Sequence, residues 1–249
     1  MSLVFGKANA KLIALERKYN RKVYTFSVLS GFNCPGAKDC QSFAVRGNNG
    51  RLHIQDGKHT LWRCFSASQE VLFPSVYRAR QNNQSIIEAA AISIMDAAIL
   101  FVKQIPKNCG ILRWHVGGEW KTQSYFDMGI EVAKMRPDIL FYAYTKSLPF
   151  WVARLGMIPE NFVLTASVGG RYDELIPLYG LRSVTVVGSE YQARKLRLPV
   201  DHDDSHAVKN NGKNFALTVH GVMPKGSKFA KAAKKQGYNR SKTLDRIGA

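Results

Sequence analysis

Three of the four cysteines are spaced so that they could bind one metal group. Cys34 and Cys40 lie in GFNCPGAKDCQSF (residues 31–43), around a Pro-Gly turn, and Cys64 follows 24 residues after Cys40. The intervening chain is predicted to contain a β-hairpin, which would fold back and bring Cys64 towards the other two. Three thiolates suit a soft metal or an iron–sulfur cluster better than calcium or magnesium.

The spacing of these cysteines leaves other interpretations open. Zinc would need a fourth ligand, for which the sequence offers His53, His59 and Cys109. Cysteines are also common as small buried hydrophobic residues, and the spacing alone does not exclude that role. A Cys34–Cys40 disulfide is the least favoured interpretation, because four cysteines in 249 residues do not form a disulfide scaffold.

The compartment follows from what the sequence lacks. No apolar run reaches the roughly 18–20 residues that span a bilayer. The first residues, MSLVFGKANAKLIALERK, lack the apolar core and cleavage site of a secretory signal. We therefore expect a cytoplasmic protein without a membrane segment, and in that compartment thiols stay reduced.

The formal net charge of +18 favours an anionic partner. Residues 1–22 carry six Lys or Arg against one acid, and residues 222–249 carry eight against one. These basic termini predict binding to nucleic acid or to a phosphate-bearing ligand. The alternative is that they only improve solubility, since no helix-turn-helix, zinc-finger or RNA-recognition pattern is present.

The elements that must position the cysteines form a regular α/β pattern. KVYTFSVLSGF is predicted to be the first strand, RLHIQDGKHTLWRCF a hairpin with its turn at Asp56-Gly57, and residues 68–103 a long helical region. After Pro106, five apolar strands alternate with helices, which is typical of parallel βαβ units. We predict one domain, with a six-stranded (β/α) core over residues 23–221 between a basic N-terminal segment (1–22) and a basic C-terminal helix and tail (222–249).

Such folds bind ligands at the carboxyl ends of their strands. Arg113 and His115 are two residues apart in one strand, so we expect their side chains to share a face in the barrel interior, either towards a ligand or as a core pair. Cys109, at the opposite end of that strand, is predicted to be a buried structural thiol. The candidate ligand-facing residues are Arg113, His115, Tyr144, Lys146, Ser167 and His220.

One further segment, DHDDSHAV (residues 201–208), concentrates acidic and histidine residues. We predict a solvated loop before the last strand. The alternative is a site for a divalent metal with oxygen ligands.

The order of a first strand, a cysteine loop, a second strand ending in Gly-Gly-Glu and four more β/α units resembles the core of radical S-adenosylmethionine (SAM) enzymes. That resemblance implies a partial (β/α)6 barrel, a [4Fe–4S] cluster held by Cys34, Cys40 and Cys64, and SAM bound by Gly117, Gly118 and Glu119. The usual CxxxCxxC spacing is absent, because here five residues separate the first two cysteines and the third lies further on.

The chain more closely resembles the gene product 88 family, a group of uncharacterised proteins of bacteriophages and mobile elements. The resemblance is carried by CPGAKDC, RCFSAS, RWHVGGE and FYAYTK, in that order. It implies a cluster-bearing phage protein without naming a reaction.

The leading hypothesis from the sequence is a radical-SAM-like iron–sulfur protein. The alternative is a nucleic-acid-binding protein whose metal or cluster is structural and which has no SAM chemistry.

Overall fold

The computed structural model of the protein describes residues 2–7, 9–90, 93–219 and 223–235. It is a mixed α/β domain built on a curled, half-barrel sheet of seven strands. The strands of this sheet are β1 (Gly6–Lys7), β2 (Lys22–Phe26), β5 (Cys109–Trp114), β6 (Leu140–Thr145), β7 (Phe162–Ser167), β8 (Ser183–Val187) and β9 (Phe215–Thr218). A separate two-stranded hairpin consists of β3 (Ser42–Arg46) and β4 (Leu52–Asp56).

The strand order confirms the predicted core pattern. The six strands β2, β5, β6, β7, β8 and β9 are neighbours in chain order, and all five of their pairings are parallel. A doubly wound sheet would reverse its strand order at a switch point, and this one does not. The short strand β1 adds an antiparallel pairing to β2, which the sequence pattern did not predict.

The helices are α1 (Ala10–Tyr19), α2 (Phe65–Leu72), α3 (Pro74–Ala90), α4 (Ile94–Gln104), α5 (Gln123–Met135), α6 (Leu148–Val152), α7 (Leu175–Leu178), α8 (Glu190–Lys195) and α9 (Lys228–Lys235). The predicted helical region over residues 68–103 is thus divided among α2, α3 and α4. Side-chain caps fix where α1, α4, α5 and α8 begin. At α4, for example, Ser93 accepts from the Asp96 amide at 3.2 Å, and at α5 Thr122 accepts from the Tyr125 amide at 3.2 Å.

Alternation along the strands gives the sheet two buried faces. Leu112 and Trp114 of β5 belong to the larger core, which contains side chains from α3, α4 and α5. Ile111 belongs to a second cluster on the other face, together with Leu12 and Leu15 of α1. The second face is therefore covered by α1 and by the segment before β9, which contributes Ala207 and Val208 to this cluster.

A hairpin is present, but it is not the predicted one: β4 pairs with the preceding β3, and residues 57–64, predicted as the second strand, form no strand. The chain reverses over residues 47–51, and Asp56 is the last residue of β4 rather than a turn residue. The Asn-Asn-Gly sequence that precedes Arg51 supplies the turn, and Gly50 has a φ of 74°. Gly57 instead follows the hairpin, and its amide donates to the Gln41 carbonyl at 2.8 Å. Among the described residues, no helix is long and apolar enough to cross a membrane.

Candidate functional site

The cysteine loop lies on the carboxyl ends of β6 and β7. A Cβ at Gly36 would overlap the carbonyl of Lys146, so this contact with the end of β6 requires glycine. The Gly36 carbonyl accepts from the Arg171 amide at 2.9 Å, and the Asp39 amide donates to the Gly169 carbonyl at 3.0 Å. The Pro-Gly turn is therefore a docked part of the sheet edge and not a free surface loop.

The third cysteine reaches the same region through the hairpin. Cys64 immediately precedes α2, and its amide donates to Ser42 Oγ at 3.3 Å. Ser42 Oγ in turn donates to Asp56 Oδ1 at 3.0 Å, and Arg63 binds the same carboxylate through Nε at 3.0 Å and Nη2 at 2.5 Å. The two hairpin strands thus fix where α2 begins.

A buried ion pair, Glu70 with Arg80, connects the two cysteine segments. Arg80 Nη1 lies 2.7 Å from Glu70 Oε1 and 3.0 Å from the Ser66 carbonyl. The same carboxylate oxygen accepts from the amide of Ser30 at 3.0 Å and from its hydroxyl at 2.8 Å. The start of α2 is therefore held against the chain that leads to Cys34. Sequence reasoning missed Glu70 and Arg80, which lay inside a region predicted only as helical.

The thiols of Cys34 and Cys40 both have a pKa that is raised by burial and also by negative charge on Cys64. Burial raises the pKa of Cys34 well above its ordinary value, and negative charge on Cys64, Glu119 and Cys40 raises it further. Burial raises the pKa of Cys40 to about 11, although Lys146 opposes this shift. The metal-free thiols are therefore protonated at neutral pH and are not reactive nucleophiles.

Cys64 differs from the other two cysteines because it lies at the amino end of helix α2. Burial also raises the pKa of this thiol, while the amides of Ala67 and Ser66 lower it. Within the described ranges, no group of three or more His, Cys, Asp or Glu side chains is arranged to hold a metal ion.

The Gly-Gly-Glu segment follows β5 and is closely packed. A Cβ at Gly117 would overlap the hydroxyl of Ser66 and lie 2.6 Å from the Arg80 guanidinium. A Cβ at Gly118, whose φ is 78°, would overlap Val28. Both glycines therefore serve contacts within the protein.

Glu119 is buried and accepts three hydrogen bonds. Its Oε1 accepts from the Trp120 amide at 2.9 Å and from Thr145 Oγ1 at 3.1 Å, and its Oε2 accepts from the Lys146 amide at 2.7 Å. Burial raises the pKa of Glu119 to about 7, and these donors oppose that shift. The carboxylate lies near Cys34 and Cys40, but its hydrogen bonds are to the strand ends.

Lys146 and Ser167 are brought together at the same edge. Lys146 Nζ donates to Ser167 Oγ at 2.6 Å, to the Ser167 carbonyl at 2.8 Å and to the Val168 carbonyl at 3.0 Å. An ammonium group has three N–H donors, and the three acceptors match that number. The contacts therefore fix the position of the Lys146 ammonium group. The ring of Trp62, which sequence reasoning did not select, has its centroid 5.9 Å from Lys146 Nζ.

Arg113 and Tyr144 are held in a separate buried cluster. Asp204 Oδ2 accepts from Arg113 Nη1 at 2.8 Å and from Tyr142 Oη at 2.8 Å. Its Oδ1 accepts from Tyr144 Oη at 3.1 Å and lies 2.6 Å from Lys11 Nζ. The prediction that residues 201–208 form a solvated loop was wrong for Asp204, which is fully buried.

The prediction that Arg113 and His115 share a face was also wrong. β5 ends at Trp114, so the alternation of side chains does not extend to His115. His115 Nε2 lies 2.8 Å from Tyr125 Oη, and its ring contacts those of Trp114 and Trp120 in the larger core. Burial lowers the pKa of His115 to about 3, so the imidazole is neutral.

Two further candidates are resolved differently. Cys109 is buried at the amino end of β5, where its thiol donates to the Ile111 carbonyl at 3.4 Å, as expected for a structural cysteine. The predicted ligand-facing residue His220 lies outside the described residues.

The comparisons with known proteins identify a family but no characterised relative. A family model described as Gene product 88 matches residues 3–241. No curated protein and no solved structure matches the chain significantly. These findings confirm the resemblance to that family and give no support to the resemblance to radical SAM enzymes.

Proposed function

This chain belongs to the gene product 88 family, and we propose that it holds an iron–sulfur cluster through Cys34, Cys40 and Cys64. What supports the proposal is the geometry at the carboxyl end of the sheet. The loop of Cys34 and Cys40 lies on the ends of β6 and β7, and Ser66, two residues after Cys64, donates to the Val116 carbonyl beyond β5 at 2.9 Å. Besides burial, negative charge on Cys64 and Cys40 also raises the pKa of Cys34. Parallel α/β sheets bind their ligands at this end.

The chemistry of the donors suits a cluster. In a [4Fe–4S] cluster each cysteine binds a different iron, so the three sulfurs need not converge on one ion. Burial raises the pKa of the thiols, and a bound metal would replace their protons. Lys146, whose charge lowers the pKa of Cys40, supplies a nearby cation that favours an anionic thiolate site.

The proposal assigns no SAM chemistry to the Gly-Gly-Glu segment. An ammonium ligand would have to share Glu119 with the Trp120 amide, Thr145 and the Lys146 amide. The open sides of Gly117 and Gly118 are filled by Arg80 and Val28, which leaves little room for a ligand against this backbone. We therefore favour a cluster without SAM cleavage over a radical-SAM enzyme, in a reducing compartment such as the cytoplasm.

Anaerobic reconstitution with ferrous iron and sulfide tests the cluster. We expect the visible absorbance of an iron–sulfur cluster and stoichiometric iron in the wild type, and loss of both in Cys34→Ser, Cys40→Ser and Cys64→Ser. Cys109→Ser is the matched control and should keep the cluster. A colourless wild-type protein, a protein that purifies with zinc instead, or equal loss in Cys109→Ser would contradict the proposal.

The absence of SAM chemistry has its own measurement. We expect the EPR signal of the reduced cluster to stay unchanged when SAM is added. A SAM-dependent change in that signal would show an iron open to SAM and would restore the radical-SAM hypothesis.

A further inference from the structure

We propose that the carboxyl end of the sheet, from the cysteine loop to α9, is a binding surface for single-stranded nucleic acid. The proposal concerns the side chains around the cysteines and does not require that a cluster be bound. Its parts are basic side chains on α9, Lys38 of the cysteine loop with the neighbouring Arg171, and two exposed aromatic rings, Phe32 on that loop and Tyr172 beside it.

Helix α9 is fixed at this edge by its apolar side chains. Phe229 and Ala230 pack against the buried pair Val219 and Met223, and Trp62 packs against the same pair. Ala232 approaches the end of β8 so closely that a Cβ at Gly188 would lie 2.9 Å from it. This packing leaves Lys231 and Lys234 exposed on the helix.

The cysteine loop continues the basic surface. Its Lys38 is exposed, and so is Arg171, which contacts the loop through Nε–H to the Ala37 carbonyl at 3.1 Å. The Trp62 amide donates to the Asp39 carbonyl at 3.1 Å, which joins the loop to the residues that pack under α9. The nearby carboxylate of Asp173 is turned to the backbone, where it accepts from the amides of Gly169 and Gly170.

Exposed rings within this basic surface favour single strands over duplexes. Phe32, two residues before Cys34, is 56% exposed and is supported from one side by Phe43, at 4.9 Å between ring centroids. Tyr172, which follows Arg171, is 37% exposed. Basic grooves that carry accessible aromatic rings bind unpaired bases by stacking, which a duplex does not permit.

Fluorescence anisotropy with a labelled oligothymidylate of about 20 nucleotides tests the surface. We expect the double variant Lys231→Glu/Lys234→Glu to raise Kd at least about tenfold. A plot of log K against log salt concentration has a negative slope, and each lost phosphate contact makes it less steep by about 0.7. The slope of the double variant should therefore be less steep by about 1.4. Circular dichroism would verify that the variant is folded.

The matched control reverses the same amount of charge elsewhere. Lys103→Glu/Lys107→Glu alters two exposed lysines near the amino end of β5, on the opposite edge of the sheet. We expect this control to change Kd less than about twofold in buffer of physiological salt. Equal weakening by both pairs would mean general attraction to a basic protein and would overturn the proposal.

Further measurements test whether the surface prefers single-stranded to duplex nucleic acid. Phe32→Ala should weaken binding about tenfold, as the loss of one stacked base does. Leu178→Ala, which trims an even more exposed apolar side chain on α7, should not change it. A Phe32→Ala protein that binds as the wild type does, or duplex DNA that binds as tightly as the single strand, would overturn the single-strand assignment. Cys34→Ser should lose iron yet keep nucleic-acid binding, which separates this proposal from the cluster.

Discussion

Two clusters place ionisable groups against the sheet: Asp204 with its donors, and Cys34, Cys40 and Cys64. They differ in whether the surrounding residues stabilise the charged form of those groups. Four donors surround the Asp204 carboxylate, and the charges of Arg113 and Lys11 help to hold its pKa at about 2 despite burial. Burial and like charge instead raise the pKa of Cys34. The first cluster stabilises its own charge.

In the second cluster, Lys146 only partly opposes the rise that burial causes in the pKa of Cys40, and Arg80 only partly opposes the same rise at Cys64. A bound metal would therefore have to stabilise the thiolates. This difference supports a structural role for the first cluster and the proposed metal-binding role for the second.

The largest expected effect would come from removing the Asp204 carboxylate. Asp204→Ala leaves Arg113 and Lys11 without their counter-charge, and breaking such a buried pair costs about 3–5 kcal/mol of unfolding free energy. Urea unfolding measures the loss. Asp203→Ala is the control, since its carboxylate is 27% exposed and lies 3.6 Å from Lys18, and it should cost less than about 1 kcal/mol. Similar losses in both variants would remove the distinction between the clusters.

A smaller effect is expected in the pH dependence of the unfolding free energy, where His115 and Asp204 act in different pH ranges. Burial lowers the pKa of His115 from 6.5 to about 3 in the folded protein. As the pH falls below 6.5, the unfolded chain therefore takes up a proton at His115 that the folded protein does not. The unfolding free energy decreases over the range from pH 6.5 to about pH 3. Between pH 7 and pH 5 this amounts to about 2 kcal/mol. The pKa of Asp204 is about 2 in the folded protein, so the stability that this carboxylate contributes is lost only below about pH 4.

His115→Gln isolates this contribution. The amide can keep a hydrogen bond to Tyr125 but does not titrate, so the unfolding free energy of the variant should fall about 2 kcal/mol less than that of the wild type between pH 7 and pH 5. An identical pH dependence in both proteins would show that His115 is accessible to protons in the fold.

The smallest effect is expected at the cysteines without metal. Cys34→Ala in metal-free protein should change the unfolding free energy by about 1 kcal/mol or less, because the thiol contributes only as a small buried group. Iron loading should then stabilise the wild type and not the variant, since a ligand stabilises the state that binds it. A metal-free Cys34→Ala protein as unstable as Asp204→Ala would make the cysteines part of the core instead.

The core strands were predictable because each is a nearly continuous apolar segment bounded by turn residues, as in LFYAYT of β6 and FVLTAS of β7. The two residues of β1 are too few to give a pattern. The hairpin turn was misplaced because Asp56-Gly57 and the Asn-Asn-Gly sequence before Arg51 are both turn signals, and sequence alone does not rank them.

The site was predictable only in part. Four residues follow parallel strands, which places them at one edge of the sheet: Cys34, Cys40, Glu119 and Lys146. Cys64 instead comes to this region through the antiparallel hairpin. The pairing of Arg113 with Asp204 joins residues 91 apart in the chain, and no local pattern encodes such a partner. His115 was misassigned because strand alternation predicts a face only while the strand continues, and β5 ends one residue earlier.

The Asp204 carboxylate also has a consequence for synthesis on the ribosome. Lys11 and Arg113 emerge long before Asp204, so α1 and the central strands leave the exit tunnel with their cationic side chains facing a sheet that lacks its counter-ion. Until residue 204 has been translated, a half-barrel formed on the ribosome would hold uncompensated positive charge on the face that α1 covers. Completion of this charge cluster therefore awaits residue 204, and a product that stops before it would expose the uncovered sheet to chaperones and proteases.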